Sequence, residues 1–243
     1  MIRAVLLDLD GTLIDAMGAW GSAFGEALAL GSARYPALGA LGDGPTAHIQ
    51  VLRPLLQQAH RAAGGGEWSQ DFLRVAFREL LARYAEENPA LAEEMRVTYE
   101  DAWPRHLRLY TEVPALLDEL ARHYRLAIVS NGLSIEQRRK VAPLGLDRHI
   151  EVVAISEEVG VRKPEPAIFH HALAALGVAA ADAVHVGDDF GADIEGARSA
   201  GLAAGIWVNR HGDLLAERAG RRANVAHIEV PDLGGLSALL EGL

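Results

Sequence analysis

The 243-residue chain has no cysteine, which excludes disulfides, thiolate nucleophiles and thiolate zinc sites together. Lysine is almost as scarce: of 23 basic residues only Lys140 and Lys163 are not arginine. Positive charge is not in excess either. The formal net charge is -10, and a protein that grips nucleic acid through its phosphates needs a basic surface, so that partner is excluded. A small anionic substrate is not, because the field inside a cleft can differ from the global one. No apolar run approaches the roughly 20 residues of a membrane span, and the run after Met1 stops at Asp8, too short for the core of a signal peptide. The expectation is a soluble, cytoplasmic monomer or homodimer without a membrane partner. Internal repeats and low-complexity tails are absent as well. With 50% apolar and 23% charged residues, the chain is an ordinary globule, sized for one large domain or a core carrying an insert.

What is present is a series of short apolar runs that read as buried parallel strands: Ile2 to Asp8, Arg125 to Ser130, Val152 to Ile155, Ala183 to Gly187 and Gly205 to Val208. Helix-period segments lie between them, among them Pro114 to Tyr124 and Pro166 to Leu176, each opening on a proline. Strand alternating with helix predicts an α/β fold, a Rossmann-like doubly wound parallel sheet with helices on both faces. The alternation fails between residues 16 and 108. There the pattern is helical, with Phe72, Leu73, Ala76, Leu80, Leu81 and Tyr84 on one stripe and a helix start at Asn88-Pro89. Gly39 to Gly44 and the triplet Gly64 to Gly66 mark loops within it. The organisation predicted is a core of residues 1–15 and 109–243 with an all-helical insert at 16–108.

In open parallel sheets the ligand site lies beyond the carboxyl ends of the strands. The residues there are Asp8 and Asp10, Ser130 and Asn131, and Asp188 and Asp189, with Lys163 shortly after the third strand. Carboxylates, a hydroxyl and one lysine suit phosphate-ester chemistry with Mg²⁺, which takes hard oxygen ligands. A phosphate monoester beside Asp8 and Asp188 would bring roughly four negative charges together, and one like-charge pair at 4 Å costs about 4 kcal/mol at an effective dielectric of 20. Such a site needs its cations. Ser130-Asn131-Gly132 leads into a helix opening at Ser134, where Ser134-x-x-Gln137 reads as a capping box that would aim backbone N–H groups at an anion. Asp15 is expected to cap the insert's first helix, and His170, His171 and His185 to be structural. Lys163 stands in an Arg-Lys-Pro context, where a compact ammonium is wanted in place of a planar fork. Lys140 shows that the arginine preference also lapses elsewhere.

These residues carry a family resemblance. Asp8-Leu9-Asp10-Gly11-Thr12 resembles the DxDGT first motif of the haloacid dehalogenase (HAD) superfamily, Ser130-Asn131-Gly132 its second, and Arg162-Lys163-Pro164 its third. Gly187-Asp188-Asp189 with Asp193 resembles its GDxxxxD fourth motif. All four stand in the family's order, with a helical insert where that family places its first-site cap. The stretch Ile155 to Pro164 is similar to the branch with pyrimidine 5'-nucleotidases and N-acylneuraminate-9-phosphatases.

The resemblance implies a Mg²⁺-dependent phosphatase of small phosphorylated metabolites. In it Asp8 is the nucleophile, Asp10 the general acid and base, and Lys163 the catalytic cation. Asp8, Asp188 and the main-chain carbonyl of Asp10 are the implied metal ligands, with Asp189 and Asp193 behind them. Thr12, Ser130, Asn131 and Lys163 hold the phosphoryl group. A sugar-phosphate mutase remains an alternative, since it shares the phosphoaspartate step. A 2-haloacid dehalogenase is disfavoured by Asp10-Gly11-Thr12, a phosphonatase by the lack of any lysine before Lys140, and a non-catalytic protein by the retention of all four motifs.

Overall fold

The computed structural model describes residues 1–63, 70–210 and 227–243; the glycine triplet Gly64 to Gly66 lies outside them. Its sheet has six parallel strands in the order β3-β2-β1-β4-β5-β6. They are β1 (Ala4–Leu7), β2 (Arg125–Ser130), β3 (Val152–Ile155), β4 (Ala183–Gly187), β5 (Ala204–Val208) and β6 (Ile228–Val230). The helices, in chain order, are α1 (Ala16–Ser32), α2 (Gly44–Ala47), α3 (Arg53–Ala62), α4 (Gln70–Tyr84), α5 (Pro89–His106), α6 (Val113–Leu120), α7 (Ser134–Val141), α8 (Ser156–Val159), α9 (Pro166–Leu176), α10 (Glu195–Ser199) and α11 (Leu236–Glu241).

Two compact units result. One comprises Met1–Asp15 with Leu109–Leu243, the other Ala16–Arg108. In the first, Ile168, Phe169, Ala172, Leu173 and Leu176 of α9 pack on Ala4 and Leu6 of β1 and on Ala127 and Val129 of β2. Successive strand residues face opposite ways, and Val5 and Leu7 are as fully buried as Ala4 and Leu6. Both faces of β1 are therefore covered, the condition under which a strand tolerates a continuous apolar run. The architecture is a Rossmann-like α/β core with a helical insertion. β1 sits where strand order reverses, between β2 and β4, with Leu7 in register with Ile128 and with Val186. The residues that follow these three strands thus leave the sheet together at the crevice where such folds bind ligands.

Helix α6 ends at Leu120, short of Tyr124, because residues 121–124 turn the chain into β2. β6 has no counterpart in the sequence reading: three residues at a sheet edge, two half-buried about an exposed Glu229, form no periodic run. The chain leaves and re-enters the first unit side by side, since Tyr110 N donates to Leu13 O at 3.0 Å and Ile14 bridges Leu109 antiparallel. Arg210 ties this crossing down. Its guanidinium lies 3.6 Å from the centroid of the Tyr110 ring, pairs with Glu112 at 2.6 Å and donates to Thr12 O at 3.2 Å.

The helical unit has its own core, in which Phe24, Leu28, Leu38, Leu52, Phe77, Leu80, Leu81 and Met95 are buried together. Helix α5 starts as its sequence dictates, Asn88 Oδ1 accepting from Leu91 N at 3.0 Å with proline in the first turn. Asn88→Ala is expected to lower the stability of this unit by about 1 kcal/mol, read from the urea midpoint of its unfolding; an unchanged midpoint would contradict the cap. Among the described residues no helix is long and apolar enough to cross a membrane.

Candidate functional site

The site lies wholly in the first unit and starts from Asp8. Its N–H still donates to Val186 O at 2.9 Å, continuing the β1–β4 ladder for one step beyond the strand. That bond fixes the side chain over the carboxyl ends of both strands. Lys163 Nζ reaches Asp8 Oδ1 at 2.6 Å and Asp193 Oδ1 at 2.6 Å. The lysine side chain is 2% exposed and that of Asp193 1%, so one buried ammonium stands between two buried carboxylates. Thr12 Oγ1 donates to Asp8 Oδ2 at 3.3 Å, and Ser130 is buried at the end of β2.

Asp193 is held from every side. Its Oδ1 also accepts from His185 Nε2 at 2.9 Å, and its Oδ2 from Asp189 N at 2.9 Å. A carboxylate can only accept, so His185 carries its proton on Nε2. A Cβ on Gly187 would lie 2.2 Å from this carboxylate, so residue 187 must be glycine for Asp193 to lie against β4. The side chain of Asp189 caps the π-type turn Phe190–Ile194, its Oδ1 accepting from Gly191 N and Ala192 N at 3.0 Å each. Asn131 braces the lysine loop from the other strand end: Nδ2 donates to Lys163 O at 3.0 Å, and Oδ1 accepts from Lys163 N at 2.8 Å.

The electrostatics follow from burial against pairing. Burial first, and then the Asp193 charge, push the Asp8 carboxyl up to about 7 against the pull of Lys163. Burial would raise Asp193 too, but Lys163 and His185 outweigh it and hold it well below the usual carboxylate range. Burial acts downward on Lys163, and the two carboxylates overcome it. His185 is lowered by burial and stays neutral. Lys163 lies 2.6 Å from each carboxylate, and Asp193 has His185 besides, so Asp8 is the less compensated of the two.

Carboxylate oxygens of Asp8, Asp188 and Asp193 lie within 4.8 Å of one another. Three such carboxylates against one ammonium leave a formal excess of about two negative charges, which a hard divalent cation would offset. The donor set fits Mg²⁺: all oxygen, with neither sulfur nor imidazole among the ligands. The two oxygens of Asp193 accept from Lys163, His185 and Asp189 N, and those of Asp8 from Lys163 and Thr12.

Asp10 has a different set of partners. Its Oδ2 accepts from Lys140 Nζ at 2.6 Å and from Gln137 Nε2 at 3.1 Å, while its Oδ1 is buried with no hydrogen-bond partner among the described residues. The predicted capping box therefore fails. Gln137 is drawn to Asp10 and to Asn131 O at 3.0 Å, Ser134 N donates to Glu157 Oε2 at 2.6 Å, and the Ser134 hydroxyl donates to Glu158. Helix α7 has no side-chain cap. Sequence reasoning missed Lys140 and Gln137 as site residues. The one available signal was the scarcity of lysine: both lysines of the chain end on carboxylates that follow β1. His185 was rightly read as structural, though what it holds is the site's own Asp193.

Residues 2–201 match the model of the haloacid dehalogenase-like hydrolases. The human N-acylneuraminate-9-phosphatase is 28% identical over 252 residues, covering 100% of this chain and 95% of the relative. The glyceraldehyde 3-phosphate phosphatase of Methanothermobacter thermautotrophicus is 32% identical over 210 residues, 86% of each chain. Among solved structures, the HAD-hydrolase YfnB of Bacillus subtilis, bound to magnesium, superposes with a TM-score of 0.75 at 23% identity over 98% of both chains, a likeness of fold. Motif order, the lysine shared between Asp8 and Asp193, and a match running from β1 past β4 converge, and the chain belongs to the haloacid dehalogenase-like hydrolase family.

Proposed function

We propose that the protein is a cytoplasmic Mg²⁺-dependent phosphatase that hydrolyses a small phosphate monoester through an aspartyl-phosphate intermediate. The observation that carries the reading is the arrangement around Asp8: a buried carboxylate held by Lys163, with Asp188 close enough to share a cation. The phosphatase names of the full-length relatives support it.

In the first step an Asp8 oxygen attacks phosphorus. The ester P–O bond breaks with its electron pair going to the leaving oxygen, which takes a proton from Asp10. In the second, water attacks phosphorus and gives its proton to Asp10, and the P–O bond to Asp8 breaks with its pair returning to the carboxylate. Both residues end as they began. Lys163, Thr12, Ser130 and Asn131 hold the phosphoryl oxygens, with Asn131 also fixing the Lys163 backbone. Mg²⁺, held by Asp8, Asp188 and the main-chain carbonyl of Asp10, would supply Lewis-acid stabilisation of the charge on the phosphoryl group. Asp193 and Asp189 set the geometry behind it, one anchoring Lys163 and the other shaping the loop after β4. We assign the helical unit, residues 16–108, as the cap that selects the alcohol part of the substrate, and residues 1–15 with 109–243 as the catalytic core.

The test is p-nitrophenyl phosphate hydrolysis by the purified chain in Mg²⁺ and in EDTA, followed by a panel of sugar phosphates, triose phosphates and nucleotides. Turnover in Mg²⁺ that falls to background in EDTA is expected. Folded protein inert toward every phosphate in Mg²⁺ would overturn the reading.

A further inference from the structure

We propose that Lys140, together with Gln137, is a positioning residue for Asp10, fixing its carboxylate so that Oδ1 is the atom that gives the proton to the leaving oxygen and takes it back from water. The proposal rests on the reading of Asp10 as acid and base given above.

Three observations carry it. In the run Gln137-Arg138-Arg139-Lys140, the two arginines are exposed while Gln137 and Lys140, three residues apart on one helix face, are buried. The buried place on that face is the one at which this arginine-rich chain uses a lysine. Second, both side chains converge on one atom, Asp10 Oδ2, at 2.6 and 3.1 Å. The lysine side chain is 6% exposed and that of Asp10 21%, so the contact is largely shielded, and a charge-assisted bond is stronger there than in open water. Third, Asp10 Oδ1 is buried and has no hydrogen-bond partner among the described residues. A carboxylate whose Oδ2 already accepts from two donors binds a proton on the other oxygen, so the donors decide which atom does the chemistry. Local backbone also serves this contact, because a Cβ on Gly132 would sit 2.7 Å from Gln137 Nε2 and block its approach. An ammonium suits the task better than a guanidinium, since one point donor in a narrow space leaves Oδ1 uncovered.

The test is Lys140→Met in the full chain with Mg²⁺, on p-nitrophenyl phosphate and on glycerol phosphate. The first leaving group departs without a proton, whereas the alkoxide of the second needs one. On glycerol phosphate kcat is expected to fall about 100-fold, within the usual range for losing acid–base catalysis, with KM little changed. With p-nitrophenyl phosphate the pre-steady-state release of p-nitrophenolate should stay within about threefold of wild type, followed by slowed turnover as the water step suffers. Gln137→Leu, which removes the second donor without a charge, is expected to give the same substrate pattern at about tenfold, and it carries the test should Lys140→Met not fold. If the two substrates lose equally in the burst and in steady state while Asp10→Asn abolishes glycerol phosphate turnover, Lys140 is structural and the proposal fails alone. If Asp10→Asn keeps that turnover, the acid–base reading falls and takes the proposal with it.

Discussion

Replacing Asp8 by Asn is expected to remove phosphate-ester turnover while leaving the metal-free protein at least as stable as wild type. The amide is a poor nucleophile, and loss of a covalent nucleophile removes nearly all of the chemical rate, of order 10⁴-fold or more. The stability half of the prediction comes from burial. Asp8 binds a proton more tightly folded than unfolded, its carboxyl being pushed to about 7 by burial and by Asp193. A carboxyl raised in this way costs the folded state increasingly as pH climbs from about 4 toward 7, and in full above that. Asn pays no such penalty, keeps an oxygen for Lys163 and leaves Asp193 paired with it. Calorimetry in EDTA at pH 8 should therefore find the thermal midpoint of Asp8→Asn level with wild type or higher, the difference closing below about pH 4. Inactivity accompanied by a lower midpoint at pH 8 would mean that Asp8 is a structural anchor.

Lys163→Met is expected to fail in the opposite sense, losing both activity and fold stability. It leaves Asp8 and Asp193 facing each other with their shared cation gone. Breaking a buried pair by removing one partner costs about 3–5 kcal/mol, which for a unit of this size lowers the thermal midpoint by roughly 10 °C. The second carboxylate makes the case sharper than an ordinary ion pair. Adding Asp8→Asn to Lys163→Met removes one of the two stranded charges and should recover part of the lost midpoint, a non-additivity that differential scanning fluorimetry would read directly. A double variant as unstable as the sum of its parts would mean that the two carboxylates do not repel through this site.

Much of this was visible in the sequence because the determinants are local. A buried parallel strand writes itself as a short apolar run, and β2, β3 and β4 run over the residues predicted from that pattern, as does α9. What could not be read is where partners meet across the chain. Lys140 lies 130 residues from Asp10 and Gln137 lies 127, so no periodicity connects them. Seen locally, Gln137 looked like a cap for its own helix, and only the position of β1 beside β2 shows that a carboxylate competes for it. His185 illustrates a different limit. Its spacing from Asp193 is short, yet the contact depends on Gly187 letting the Phe190–Ile194 turn fold back onto β4. β6 stayed invisible because a three-residue edge strand with no buried residue owes its shape to its neighbour β5.

The central place of β1 also governs the order in which the chain can become a protein. The strand in the middle of the sheet is made before either neighbour, and its partners exist only once residues 125–130 and 183–187 leave the ribosome. Until then four apolar residues trail from the nascent chain with both edges unpaired, the condition in which strands recruit foreign partners. Residues 16–108 have no such wait, since that unit is contiguous and its helices close a core from nearby sequence. The helical insertion can thus fold ahead of the sheet, whose assembly brings together Asp8, made before the insertion, and Asp193, made well after it.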